Sequence, residues 1–126
     1  MDDLVRWLGE QLNEDERIAR RAGDSFRQIG ETGVIVATEG DRAEECASAN
    51  WGGVAEHIVT HDPARVLREI DAKRQLVKRY ERAMENRRAH PDDLASAGAL
   101  LALHGVVKLL ALPYADRPGY LKEWAP

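Results

Sequence analysis

The sequence has one cysteine, Cys46, in 126 residues. No disulfide can therefore close within the chain, and any zinc site built on two or more thiolates is excluded. A lone thiol is the usage of a reducing compartment, so the expected location is the cytoplasm. There is no Pro-rich, Gly/Ser-rich or other low-complexity tract, and the apolar residues recur periodically, which argues against disorder. The first ten residues contain Asp2, Asp3, Arg6 and Glu10, leaving no apolar stretch for a secretory leader. The most apolar run, 94–112, is interrupted by Ser96, His104, Lys108 and two glycines. It reads as the core helix of a globular protein, and no membrane partner is expected. Gly-x-Ser-x-Gly, Walker and dinucleotide patterns are missing, as are RNP, zinc-finger and helix-turn-helix signatures. The paired acids Glu44-Glu45 and Asp92-Asp93 do not reproduce the four-carboxylate spacing of the all-helical nucleotide pyrophosphohydrolases.

What is present fits a single domain spanning 1–126, with 44% hydrophobic and 32% charged residues. The net charge of −4 conceals an asymmetry. Residues 1–64 hold 14 acids and 6 bases, a net −8; residues 65–88 hold 9 bases and 4 acids, a net +5. The remaining 38 residues contribute −1. Half of the 18 basic side chains thus lie in 24 residues.

Periodicity places the elements. Leu4, Leu8, Leu12, Ile18 and Ala22, with Trp7, mark the buried face of a first helix, capped by Asp2 or Asp3 and stopped at Gly23. Residues 25–29 and 34–38 flank Gly30-Glu31-Thr32-Gly33 and read as a β-hairpin. Residues 39–53 read as an acidic loop carrying Cys46 and Trp51. A short helix follows over 54–61. Asp62-Pro63 then starts a long helix to about residue 88: proline suits the first helical position and Asp62 its cap. Val66, Ile70, Lys73, Val77, Tyr80 and Met84 alternate by four and three, a seam that requires a partner helix, and Leu67, Leu76 and Ala83 widen it. His90-Pro91-Asp92-Asp93 turns the chain into a helix over about 93–112, apolar on nearly every side and expected to be buried over most of its circumference. Its surplus apolar surface exceeds what one neighbour covers, which makes a homodimer a reasonable outlet. Tyr114, Tyr120 and Trp124 can tie the tail to the core.

Three constellations could carry chemistry. His57, His61 and Asp62 have the spacing of a divalent-metal site, with Cys46, His90 or His104 as a further ligand. The His-Asp pair resembles the dipeptide of metal-dependent phosphohydrolases, but the other members of that signature find no place here. The plainer reading makes His57 a partly buried polar residue and His61 a C-terminal cap. Arg65, Arg68, Lys73, Arg74, Lys78, Arg79 and Arg82 form a basic face that could meet phosphates, although interleaved acids favour a solvated face matched to the acidic half of the chain. Cys46 follows two glutamates, which disfavour a reactive thiolate. Gly52-Gly53 before a helix could hold an anion, though a helix-start turn is far commoner.

Three blocks, MDDLVRWLGEQLNEDERIARRAG, AEHIVTHDPARVLREIDAKRQLV and LLALPYADRPGYLKEW, resemble an uncharacterised small-protein family of high-GC Gram-positive bacteria and their phages. The resemblance implies a cytoplasmic protein, often of prophage or accessory-genome origin, with no established catalytic residue to transfer. The sequence departs from the family pattern at Asp24-Ser25-Phe26, where members carry tryptophan. It departs again over 86–107, a cysteine-free run where many members carry a Cys/His-bearing insert.

The expected fold is α+β and mainly helical: a helical bundle with a small hairpin at 25–38, the helix 62–88 running antiparallel to the helix 93–112. The expected function is that of a non-enzymatic interaction or regulatory protein, with no cofactor and no catalytic residue. Its partner would be another protein, with a homodimer as one form. A metal-dependent hydrolase using His57, His61 and Asp62, and a nucleic-acid-binding regulator using the basic face, are the alternatives.

Overall fold

The structure, a computed structural model, describes the backbone of residues 2–126 and the side chains from Asp3 onward. Chain order is α1 (Asp2–Arg21), β1 (Ser25–Gln28), β2 (Val34–Glu39), β3 (Arg42–Ser48), α2 (Gly52–Thr60), α3 (Pro63–Ala89) and α4 (Leu94–Ala111). Short 3-10 turns follow at Leu112–Tyr114 and Lys122–Trp124. The fold is α+β and mainly helical, as expected. Its residues group into two compact units, 1–12 with 71–126, and 13–70, so that α1 and α3 each contribute to both.

In the first unit, Leu4, Trp7, Leu8 and Leu12 of α1 are buried, the face that their spacing predicts. The cap expected at Asp2 lies outside the described side chains, and Asp3 instead accepts from Arg6 on the exposed helix surface, 2.7 Å. The tail is fastened to α1 by aromatics. Trp7 Nε1 donates to the Pro118 carbonyl at 3.0 Å, and its ring lies 5.5 Å from both Tyr120 and Trp124. Gly119 makes this approach possible: its φ is +92°, and a Cβ there would lie 2.7 Å from Trp7 Nε1.

The turn from α3 to α4 is secured by polar groups. Asp93 caps α4 by accepting from the Ala95 amide at 3.1 Å, and Arg87 donates to the Pro91 and Asp93 carbonyls. Ser96, buried at the first turn of α4, donates its hydroxyl toward the carbonyls of Asp93 and His90 at 2.9 and 3.2 Å. Those bonds are what make its burial tolerable. The chain then returns along α3, where the buried Tyr80 ring stacks on His104 at 6.1 Å.

The expected burial of α4 over most of its circumference is not observed. Only Ser96, Val107 and Ala111 are buried on this helix. The rest of the helix is half-buried or exposed, and the exposed part includes Leu94, Leu101 and Leu109.

In the second unit, α1 ends at Gly23, whose φ of +105° turns the chain so that the Asp24 amide donates to the Thr38 carbonyl at 2.7 Å. Ala19 is buried in this half of α1, while Ile18 is 51% exposed, a correction to the expected apolar face. A strict four-residue repeat from Leu12 passes through Glu16, so the buried stripe drifts round to Ala19 rather than Ile18.

The hairpin is one half of a three-stranded antiparallel sheet, order β1-β2-β3. Ser25 pairs with Thr38 and Gln28 with Ile35, close to the expected register. The third strand corrects the reading of 39–53 as a loop. β3 is exposed along its whole length and reads Arg-Ala-Glu-Glu-Cys-Ala-Ser, a composition poor in strand formers. It forms because Gly40, at φ +61°, makes a two-residue turn with Asp41 between the paired Glu39 and Arg42. A glycine at the first central position is the signature of a II′ hairpin. The partner indices jump from Ala47 to Glu45 opposite Ile35 and Val36, leaving Cys46 as the extra residue of a β-bulge.

Ile35 and Val36 form the buried centre of the sheet, and α2 packs on β1 and β2 through Ala55, which is wholly buried. Gln28 Nε2 donates to the Thr32 and Gly52 carbonyls at 2.6 and 3.1 Å, joining the hairpin turn to the start of α2.

Candidate functional site

The predicted metal ligands fall at the junction of α2 and α3. His57 and His61 are one helical turn apart, with ring centroids at 4.4 Å. His61 Nδ1 lies 2.8 Å from the His57 carbonyl, so this nitrogen carries the proton and donates. Asp62 does something else. Its Oδ1 accepts from the Arg65 amide at 3.0 Å, capping α3, and its Oδ2 accepts from the Phe26 amide at 3.3 Å. One carboxylate thus starts the long helix and holds the first strand. Among the described residues no group of three or more His, Cys, Asp or Glu side chains is placed to hold a metal ion. Of the further candidates, Cys46 is exposed in its bulge, His90 is exposed after α3, and His104 is packed on Tyr80. The pKa of His104 is lowered from its ordinary value, first by burial and then by the positive charge of Lys108 one turn on.

The predicted basic residues all lie on α3, but they are not equivalent. Arg65 pairs with Glu69 at 2.9 Å and donates to the Thr60 carbonyl. Lys73 donates to the Tyr114 hydroxyl at 3.3 Å, its ammonium 5.3 Å from the ring centroid, and Arg117 lies 4.7 Å from the same ring. Lys73 is therefore an internal cation of the first unit. Arg74 is half-buried. Arg68, Lys78, Arg79 and Arg82 are exposed, and among the described residues they enter no ion pair. The acids interleaved with these bases include Asp71 and Glu81, which lie two turns, roughly 10 Å, from Lys78 and Arg88. Ion pairs on the helices such as Arg17–Glu14, Arg20–Glu16 and Arg65–Glu69 join residues three or four apart, and on the sheet Arg42 pairs with Glu44.

The most distinctive surface is the outer face of α4. Leu94, Leu101, Leu109 and Leu112 are 87, 74, 57 and 46% exposed. At 3.6 residues per turn, Leu94, Leu101 and Leu112 project within about 20° of one another and Leu109 about 60° away. Ala95, Gly98, Ala102 and Gly105 occupy the surface between them, also exposed. A Cβ added at Gly98 or Gly105 would meet nothing within 4 Å, so the face is open as well as apolar. Beside Leu101 the face drops into a groove between α3 and α4 of about 550 Å³, lined by Tyr80, Met84, Arg87, Ala97, Leu100 and His104. The surplus of leucine was visible in the sequence, but which side of the helix would stay uncovered was not. That depended on where α3 packs.

Arranged this way, the outer face of α4 is an open apolar surface. A family model described as Family of unknown function (DUF6221) matches the chain across residues 1–126. The chain belongs to this family. The match spans the three blocks that carried the resemblance and also the segments between them, including β3 and the outer face of α4. No curated protein and no solved structure matches the chain.

Proposed function

We propose that this family member is a non-enzymatic interaction protein whose contact surface is the uncovered face of α4. One observation carries the reading: Leu94, Leu101 and Leu109 of α4 and its C-cap Leu112 stand 46 to 87% exposed on a single side, with alanines and glycines between them and Lys108 as the one charged residue of the helix. Soluble monomers seldom present a contiguous apolar patch of more than a few hundred Å², and larger ones mark contact surfaces. A catalytic reading has less to stand on, since both oxygens of Asp62 are engaged in backbone hydrogen bonds.

The test is the mass of the protein at native expression level, in lysate and after purification. Wild-type chain is expected in a species larger than the monomer, and Leu101→Asp is expected to return it to monomer mass without loss of helix content. A wild-type chain that migrates as a monomer in both settings overturns the reading.

A second reading is favoured by Lys78, Arg79 and Arg82, exposed and without ion pairs among the described residues. These could contact the phosphates of a nucleic acid. A gel-shift titration at low salt with wild type and the Lys78→Ala/Arg82→Ala double variant decides it. No shift with wild type removes this reading.

A further inference from the structure

We infer that the occupant of this face is a second copy of the chain, its α4 antiparallel to the first, with Leu101 seated over Gly105 of the partner subunit. The inference rests on the interaction reading above and adds the partner, its orientation and its register.

The seam is Leu94, Gly98, Leu101, Gly105, Lys108 and Leu112, spaced four, three, four, three and four along α4 and its C-cap. That is the spacing with which one helix meets another side by side. Two arrangements are possible for two copies, and they are not equally good. A parallel pair sets each residue against itself. Glycine then faces glycine twice, leaving gaps, and Lys108 faces the partner's Lys108, a like-charge contact in an apolar seam. An antiparallel pair with its two-fold axis near residue 103 sets Leu101 against Gly105 of the partner subunit, and Leu94 against Leu112 of the partner subunit. Large meets small at the centre, and the leucines close both ends. Lys108 falls opposite the partner's Gly98, where its stem can lie over the glycine with its ammonium in water. The helix macrodipoles also oppose one another favourably. Open space over Gly105 is the feature this packing needs, and the structure has it.

Area sets the strength. Eighteen residues of helix are roughly 27 Å long and 10–12 Å across, a footprint on the order of 300 Å², whereas stable complexes bury about 800 Å² per partner. The groove beside Leu101 adds Met84 and Leu100, but the total stays in the lower range. The dimer is therefore weak and reversible. A lipid bilayer fits this face less well. The 21-residue stretch Leu94–Tyr114 is long and apolar enough to cross a membrane, yet its other side carries Tyr80 of α3, a helix with nine bases between residues 65 and 88. Burying α4 in lipid would carry that helix in with it.

The decisive experiment uses the full chain in a Cys46→Ser background, since Cys46 is the only native thiol and is exposed. Leu94→Cys protein is mixed with Leu112→Cys protein and oxidised. The expected product is the mixed disulfide, in about tenfold excess over either homodisulfide, because the two copies of position 94 lie roughly 27 Å apart in the antiparallel pair. Predominant homodisulfides would establish the parallel pair and overturn the arrangement. Sedimentation supplies the second arm. A Cβ at Gly105 meets nothing within 4 Å in its own subunit, so Gly105→Leu should keep its helix content by circular dichroism and weaken the dimer about tenfold or more by filling the seat of the partner's Leu101. Adding Leu101→Ala to Gly105→Leu exchanges knob and seat and should restore association. An unchanged dimer in Gly105→Leu rejects the register. A chain that is monomeric when pure but Leu101-dependently larger in lysate overturns self-association while leaving the interaction reading intact. Co-sedimentation with phosphatidylglycerol vesicles that Leu101→Asp abolishes would overturn both in favour of lipid.

Discussion

At the scale of single residues, Asp62 is the side chain with the most structural consequence. The Asp-Pro dipeptide announced a helix start, and the cap on the Arg65 amide is there. The bond from the Phe26 amide is a different matter, because nothing local relates residue 62 to residue 26. Asp62→Ala removes both acceptors at once and is expected to destabilise the chain by about 1–2 kcal/mol, more than an ordinary cap deletion, by chemical denaturation. Asp62→Asn retains one carbonyl oxygen and should lose less; equal losses in the two variants would argue against the second bond. The metal reading of His57, His61 and Asp62 came from spacing alone, and spacing reports which residues share a face. It does not report what else competes for the carboxylate. His57 and His61 do stand together, and Asp62 faces the backbone of two other segments.

At the scale of elements, helices were legible and the third strand was not. α1 and α3 carry their own periodic faces and stop signals, so local sequence was sufficient to place them. β3 has no β-branched residue and no buried position. Its order comes from the ladder with β2 and from the Gly40-Asp41 turn. That Gly-Asp pair, two residues between potential strands, was the one signal that could have revealed it. The exposed outer edge of β3 is also protected by its unpromising composition: Glu44, Glu45 and a bulge at Cys46 discourage pairing with another edge. Replacing Glu44 and Glu45 by Thr and Val should raise strand propensity and remove both charges. Light scattering is expected to show concentration-dependent aggregates larger than any species the parent chain forms. If the double variant stays as dispersed as the parent, the acids have no such role.

For the whole molecule, the sign and position of charges decide less than their contacts do. The acidic first half and the basic α3 look complementary in sequence, whereas ion pairs such as Arg17–Glu14 and Arg65–Glu69 are local and partly solvent-exposed, which limits each to at most about 1 kcal/mol. His104 is the titrating group with a resolved downward shift, caused by burial and then by Lys108. A depressed histidine pKa means that the unfolded chain binds more protons than the folded one. Stability from this group is therefore complete above its ordinary value of 6.5 and falls as pH is lowered through the folded value. Thermal midpoints of wild type and His104→Gln should diverge in that acid window, the wild type losing more; parallel curves would show that His104 is as solvated as a free imidazole. The sequence alone determined the helices, their caps and the excess of leucine on α4, because periodicity, capping and composition act within a few residues of one another. Tertiary structure alone decided that Asp62 ties a strand, that 42–48 pairs with β2, and which side of α4 is left open. Each of these depends on segments meeting in space, and the open face of α4 is the side that the rest of its unit leaves uncovered.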